Sequence, residues 1–439
     1  MSKVNALGRV GGVFGGVLAV CLGFSVSAEP LNVVLPELLK AHENVLAGQQ
    51  DLGAAQDQVD DAKGDYLPSV DLTANTGYEY QDKAPGSTTT STGFREISVG
   101  ATQLIWDFGK TLSQIDRSKI SVQQAELQLK NTEQSLILEG VTAYLNLLRV
   151  NDILRFARES EDSIKKQTGL EEALVERRSG LRTDVLQAKS TLAGAQAVRA
   201  GSEGQLINAT NRYRAVFKNE PGDLSRFKRP RVPLDKIPED LELAIEIALE
   251  NNLGLKVARL ALDAARKTSD INKSTLWGPK VEMAADFNYK RNVSGTLDNK
   301  IEKLVKVEAT YPLYSGGSDL ATYNASLKAS KGVSLRIVNQ RRIVEEQVRN
   351  AWQAVQTSRL QAEFLRNQTN ISAEFLELAR TERKLGKRSL ISILTQETGF
   401  IASASAALSA ETDELLAYFN LLFAMSSLDL EVFADGESS

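Results

Sequence analysis

VEEQVRNAWQAVQTSRLQAEFLRNQTNISAEFLELA, residues 344–379, contains no proline, and its small and apolar side chains recur every four and three residues without a break. Val344, Val348, Ala351, Val355, Ser358, Ala362, Leu365, Thr369, Ser372, Leu376 and Ala379 lie on one helical face and form a heptad seam. A two-stranded coiled coil favours Ile and Leu at such positions. Ala, Ser and Thr suit close packing in a broad wall of helices, and both readings stay open from the seam alone.

Proline placement extends this pattern along the chain, because the ring costs about 3 kcal/mol in a helix interior. The ten prolines fall at 30, 36, 68, 85, 221, 230, 233, 238, 279 and 312, leaving proline-free tracts at 37–67, 86–220, 239–278 and 313–439. Ala, Leu, Gln, Glu, Lys and Arg dominate three of them, and the second is helical from about Thr111 onward. A helix from Thr111 to about Arg178 extends roughly 100 Å at 1.5 Å per residue. No compact globule holds such an element.

Four segments alternate with period two, as half-buried strands do. Val70, Leu72, Ala74, Tyr78 and Tyr80 alternate with polar neighbours, as do Ile97, Val99, Ala101 and Ile105. The same holds for Val281, Met283, Ala285, Phe287 and Tyr289, and for Val305, Val307, Ala309 and Tyr311. Each segment is about ten residues long, the length of a tilted transmembrane strand. Tyr66, Trp106, Trp277 and Tyr314 sit at the helix-proximal ends, and Tyr80, Phe94 and Tyr289 near the hairpin loops. Two aromatic belts of this kind mark a barrel crossing two water interfaces, although a soluble sheet with one polar face shares the alternation. The loops 81–93 and 291–300 are rich in Ser, Thr, Gly and Asn, as exposed hairpin loops are.

The chain repeats itself. Pro68 recurs as Pro279, Ile105–Gly109 as Leu313–Gly317, and Gly180–Thr183 as Gly386–Ser389, at offsets of 211, 208 and 206 residues. The implied division is a first repeat over 29–217, a charged connector with four prolines over 218–237 and its border, a second repeat over 238–428, and a tail over 429–439 expected to add a little at the level of the connector and then fray. Two hairpins supply four strands, and the smallest outer-membrane barrels need about eight. The open edges therefore require other copies of the chain.

At the N-terminus Lys3 and Arg9 precede an apolar run and then Val26-Ser27-Ala28, the order of a secretory signal peptide cleaved after residue 28. Its removal takes the formal net charge from −4 to −6 and removes Cys21, the only cysteine, so no disulfide or thiolate site remains. Val20 is bulkier than the small residue a lipid-attachment site carries before its cysteine. No other apolar run is long enough for an inner-membrane helix. Lys and Arg are dispersed without a basic stripe, which argues against nucleic acid as a partner.

Tyr66-Leu67-Pro68-Ser69-Val70 entering the first strand, Pro312–Gly317 leaving the last, Gly180 with Thr183–Ala188, and Gly386 with Arg388-Ser389 together resemble the TolC-like outer-membrane efflux and type I secretion channels. The resemblance covers nearly the whole mature chain. It implies an α+β fold: a homotrimer with a shared twelve-stranded outer-membrane β-barrel, continued into the periplasm by a barrel of long coiled-coil hairpins. It also implies a periplasmic adaptor (membrane fusion) protein, an inner-membrane transporter of the ABC or RND type, and contact with outer-membrane lipid.

In that family the turns at Gly180 and Gly386 form the closed periplasmic entrance. Thr183 and Ser389 are placed as N-caps there. By position Asp184 faces Arg383 or Arg388, which predicts a charge-assisted contact at the gate. Family carboxylates at the constriction are replaced here by Ser392 and Thr395.

Catalytic motifs are missing. His42 is the only histidine and shares a helical face with Leu38, Leu39 and Val45, so a histidine triad has no other candidate and HExxH is impossible. There is no GxxxxGK[ST] loop, so export energy must come from a partner, and no cofactor is expected. A periplasmic coiled-coil adaptor or structural protein is the competing class. An adaptor carries an inner-membrane anchor or lipid and one long hairpin, whereas this chain has a cleavable leader and two.

Overall fold

The computed structural model describes residues 31–82 and 89–433; the expected leader with Cys21, part of the first hairpin loop and residues 434–439 lie outside them. Two helices of 67 residues, α3 (Lys110–Glu176) and α7 (Ser318–Lys384), run the length of the molecule. Each turns back into an antiparallel partner, α4 (Arg182–Phe217) or α8 (Leu390–Ala424). At the other end each is fed by a hairpin: β1 (Ser69–Gln81) with β2 (Thr90–Trp106), and β3 (Lys280–Arg291) with β4 (Asn299–Thr310). Every seam residue from Val344 to Ala379 is buried or half-buried. Among the described residues no helix is long and apolar enough to cross a membrane.

Short helices precede each hairpin. α1 (Leu31–Ala41) and α2 (Glu43–Gly64) break at His42, and α5 (Leu241–Asn251) and α6 (Leu253–Trp277) break at Asn252. His42 therefore does not ride a helical face. Its backbone is extended, and Nδ1 accepts from the Asn44 N–H at 3.2 Å as the cap of α2. Asn252 Oδ1 does the same for Leu255 N–H at 2.9 Å. α1 also begins five residues before Pro36 and not after it; its Leu31, Leu35 and Leu38 enter the core, and that burial offsets the lost hydrogen bond.

The main core surrounds the middle of α3, where Leu136, Ile137, Val141, Tyr144, Leu145 and Leu147 meet Leu35, Ala244, Phe419, Leu421 and Leu422. The connector crosses the helices at this level. Phe227 stacks on Tyr144 at 4.8 Å, and the Tyr144 hydroxyl donates to Lys228 C=O and accepts from Lys228 N–H, both at 3.0 Å. Arg229 adds ion pairs to Asp152 on α3 at 3.2 Å and Glu411 on α8 at 3.3 Å. Beyond α8 the start of the tail packs on the core: Val432 and Phe433 are buried, and Phe433 stacks on Phe419 at 5.3 Å.

Burial pushes the Tyr144 phenol up to about 12. The folded protein holds this proton more tightly than the unfolded chain does, so the stabilisation is complete below about pH 10 and is lost as pH rises toward 12. Tyr144→Phe strands two backbone groups of the connector, and we expect it to cost about 2 kcal/mol near neutral pH. The gap between parent and variant in denaturant unfolding should shrink above pH 10.

The sheet is open, in the order β1-β2-β3-β4, and every neighbouring pair is antiparallel. Its register carries the predicted alternation across all four strands. Leu72↔Val99↔Phe287 and Ala74↔Ile97↔Tyr289↔Ile301 are rungs of one apolar face, whereas Asn75↔Glu96↔Lys290↔Lys300 is a rung of the polar one. Two expected positions change. A β-bulge between Leu104 and Trp106 inserts Ile105 and turns Trp106 onto the apolar face opposite Val281. Phe94 pairs with Gly77 on the polar face, where a Cβ at Gly77 would lie 2.7 Å from its ring, so it is not part of an outer belt. The strands, at 12 to 17 residues, also exceed the expected length.

Candidate functional site

The end of the helical hairpins remote from the sheet gathers the expected entrance residues, and two tight turns position them. α7 ends in a Schellman turn: Gly386 adopts φ 72°, Lys387 N–H donates to Glu382 C=O at 3.0 Å, and Gly386 N–H to Arg383 C=O at 2.8 Å. α3 ends the same way, with Arg178 at φ 60°, Ser179 N–H bonded to Leu174 C=O at 2.9 Å and Arg178 N–H to Val175 C=O at 2.9 Å. Arg178, not Gly180, is thus the counterpart of Gly386, and the repeat offset stays at 208 through the tip. In that register Gly180 matches Arg388, and Asp184 matches Ser392. Gly180 serves instead by its size, because a Cβ there would lie 3.1 Å from Leu174 Cβ and Val175 N.

A left-handed arginine carries strain of about 1 kcal/mol that glycine lacks. Arg178→Gly is therefore expected to stabilise the tip by that amount, read as a rise in the thermal midpoint. No rise would contradict the assignment of this turn.

Thr183 is not an N-cap. α4 begins at Arg182, so the cap position falls on Leu181, which has no side-chain acceptor, and Thr183 is exposed within the first turn. Ser389 does cap α8, its hydroxyl accepting from Ser392 N–H at 3.4 Å. The predicted pairing of Asp184 with Arg383 or Arg388 is not made within the chain. Arg383 reaches Glu171 on α3 and also donates to Arg388 C=O at 3.2 Å. Arg388 bonds Glu382 at 2.6 Å and the Ser392 hydroxyl at 3.1 Å, with its guanidinium 5.0 Å from the Phe375 ring centre. Nearer carboxylates satisfy both arginines, and Asp184 has no side-chain partner among the described residues. Thr395 spends its hydroxyl on Ile391 C=O of its own helix, at 2.9 Å.

Glu171 and Glu397 hold this end together. Their side chains are only 6% and 5% exposed. Arg380 of α7 donates to both Glu397 oxygens, at 2.8 and 2.9 Å, while Gln167 of α3 donates to the same carboxylate at 3.1 Å. α3, α7 and α8 are thereby joined by buried, charge-assisted hydrogen bonds, whereas α4 reaches α3 through the more exposed Lys189–Glu172 pair at 2.8 Å. Ile164, Thr168 and Glu171 step by four and three, and so do Leu390, Leu394 and Glu397. An acid in a seam of small and apolar residues is the sign that identifies both.

This arrangement fastens helices to one another. At the opposite end, the aromatics near the sheet's helix-proximal rim are open to solvent in the single chain: Trp106, Trp277 and Tyr314 are 47%, 56% and 86% exposed. The Tyr66 backbone carbonyl, just before β1, accepts a hydrogen bond from the Gln103 side chain. Tyr80 and Tyr289 share the apolar face toward the hairpin loops.

Comparison with known proteins matches residues 34–216 and 244–426 to the family described as outer membrane efflux protein. The chain is similar to the outer membrane efflux protein BepC of Brucella suis, at 22% identity over 92% of this chain and 86% of that protein. It is also similar to the outer membrane protein TolC of Escherichia coli, at 24% identity over 94% and 87%. Among solved structures the outer-membrane channel OprN superposes with a TM-score of 0.78 at 18% identity, covering 91% and 90% of the two chains.

Proposed function

The chain belongs to the outer membrane efflux protein family, and from that premise we propose that three copies form one export duct, each giving four strands to a twelve-stranded barrel. Its place is the outer membrane of a Gram-negative bacterium, with the helices extending into the periplasm. The observation that carries the trimer is the sheet, which has an apolar face and leaves β1 and β4 unpaired at its edges. A second stripe on α7, Leu360, Phe364, Ile371, Phe375 and Leu378, is left uncovered in one chain, as a face awaiting neighbouring helices is.

In this reading residues 1–28 are the leader, 29–217 and 238–428 are two structural repeats, and the connector belts the helices at the level of Tyr144. The two family-model matches fall within those repeats. The duct catalyses no reaction. Substrates reach it from an inner-membrane ABC or RND transporter through a periplasmic adaptor, for type I secretion or efflux. The tip around Thr183, Asp184, Arg383, Arg388, Ser392 and Thr395 is its entrance. There the Glu171–Arg383 and Glu397–Arg380 pairs hold each protomer's hairpins together, and Asp184 is free to meet a neighbouring protomer.

Reconstitution of the mature protein in planar bilayers tests the channel. Stepwise conductance is expected; a water-soluble protein that never conducts would contradict the proposal.

A further inference from the structure

The sheet sorts its charges by face. Every acid in the strands, Asp71, Glu79, Glu96, Glu282, Asp286, Glu302 and Glu308, has the parity of the polar face. Cations on that face have acid partners: Lys290 with Glu302 at 2.7 Å and Glu96 at 3.5 Å, Lys300 with Glu302 at 2.5 Å, Lys280 with Glu282 at 2.6 Å, and Lys306 with Glu308. The apolar face carries no acid, yet it holds Arg95, Arg291 and Lys303 in its hairpin-side half.

Arg95 and Arg291 are direct partners on the outermost rung shared by β2 and β3. On one face such a pair lies about 5 Å apart at Cβ, and like charges so placed repel. Both are exposed, and among the described residues neither has a hydrogen-bond or ion-pair partner. Two rungs below, Lys303 opposes Phe287, its ammonium 5.9 Å from the ring centre. A lysine in an apolar band lays its stem along the surface and lifts its charge toward the nearer interface, which here is the level of the two arginines.

We propose that Arg95, Arg291 and Lys303 bind the phosphate monoesters of an anionic lipid headgroup in the outer leaflet. The site rests on the reading that the apolar face of the sheet meets lipid. A phosphate relieves the repulsion between the arginines, and the planar guanidinium grips it through paired hydrogen bonds. A purely apolar or zwitterionic surface leaves three cations uncompensated.

The test uses the purified full-length channel, stripped of lipid and reconstituted in phosphatidylcholine nanodiscs with bisphosphorylated lipid A or its dephosphorylated form. Native mass spectrometry and equilibrium titration read retention. Arg95→Gln with Arg291→Gln should weaken binding of the phosphorylated lipid about tenfold or more and leave the dephosphorylated lipid unaffected. Lys303→Gln should give a smaller loss, and Lys300→Gln on the polar face none. Equal binding by the parent and the double arginine variant would overturn the site, as would displacement of the lipid by millimolar inorganic phosphate. If the double variant does not assemble, Arg291→Gln alone decides on the same readout. Conductance of each preparation separates the two claims: a parent that does not conduct overturns the channel reading, whereas conducting variants that retain lipid fully overturn only this site.

Discussion

Arg383→Ala is expected to loosen the periplasmic tip by about 3 kcal/mol and to raise the conductance of the resting channel. The Glu171 carboxylate is 6% exposed and has Arg383 as its ion-pair partner. Removing the cation leaves a buried charge uncompensated, which costs about 3–5 kcal/mol in comparable sites; the partly open Arg383 side places the effect at the low end. Glu171 lies on α3 and Arg383 on α7, so the loss falls on the junction between the two halves of the protomer. Conductance and thermal unfolding of the same preparation check the expectation. Combining Glu171→Leu with Arg383→Met instead should restore stability, because an apolar pair of similar volume often replaces a buried ion pair without penalty. Arg383→Ala indistinguishable from parent in both measurements would remove this pair from the account of the entrance.

A comparable loss, about 3 kcal/mol, is expected from one methyl group at Gly278. This residue ends α6, its N–H bonded to Ser274 C=O at 2.8 Å. The turn preceding α3 presses against it. A Cβ at Gly278 would overlap Phe108 Cβ and the Ser274 carbonyl oxygen, and neither is the tip of a flexible side chain. Phe108 is itself held in the left-handed region at φ 61°, its carbonyl accepting from the Ser274 hydroxyl at 3.0 Å and its ring set edge-on to Trp106 at 5.6 Å. Relief therefore means shifting the corner where helices become strands. Gly53→Ala is the control, since nothing lies within 4 Å of a Cβ there; as a mid-helix glycine it should gain about 1 kcal/mol. A thermal midpoint for Gly278→Ala equal to the parent's would contradict this packing.

What could be read from residues alone was periodic. α3 spans Lys110–Glu176 against an expected Thr111 to about Arg178, and strand parity held everywhere but at the Ile105 bulge, because one face of each element is kept apolar along its length. The failures were of other kinds. Ile105 counts as one more apolar residue in an alternating run, and only pairing with β3 makes it a bulge that flips Trp106. Gly180 attracted the turn assignment because glycine usually takes the left-handed position, whereas Arg178 takes it here and pays in strain. Phe94 looked like a belt residue from its place near a loop, but its parity puts it on the polar face. At the tip, opposite charge and nearness in the turn suggested Asp184 with Arg383 or Arg388; Arg383 has a closer acid on α3, which spacing along one helix does not reveal, and Arg388 has one six residues back at the end of α7.

The claim on which all of this depends is that one duct requires three chains. The protein mass in the conducting, detergent-solubilised particle, measured by light scattering with detergent subtracted, tests it most directly. Three chains per particle are expected; a conducting particle of one or two chains would contradict the shared barrel.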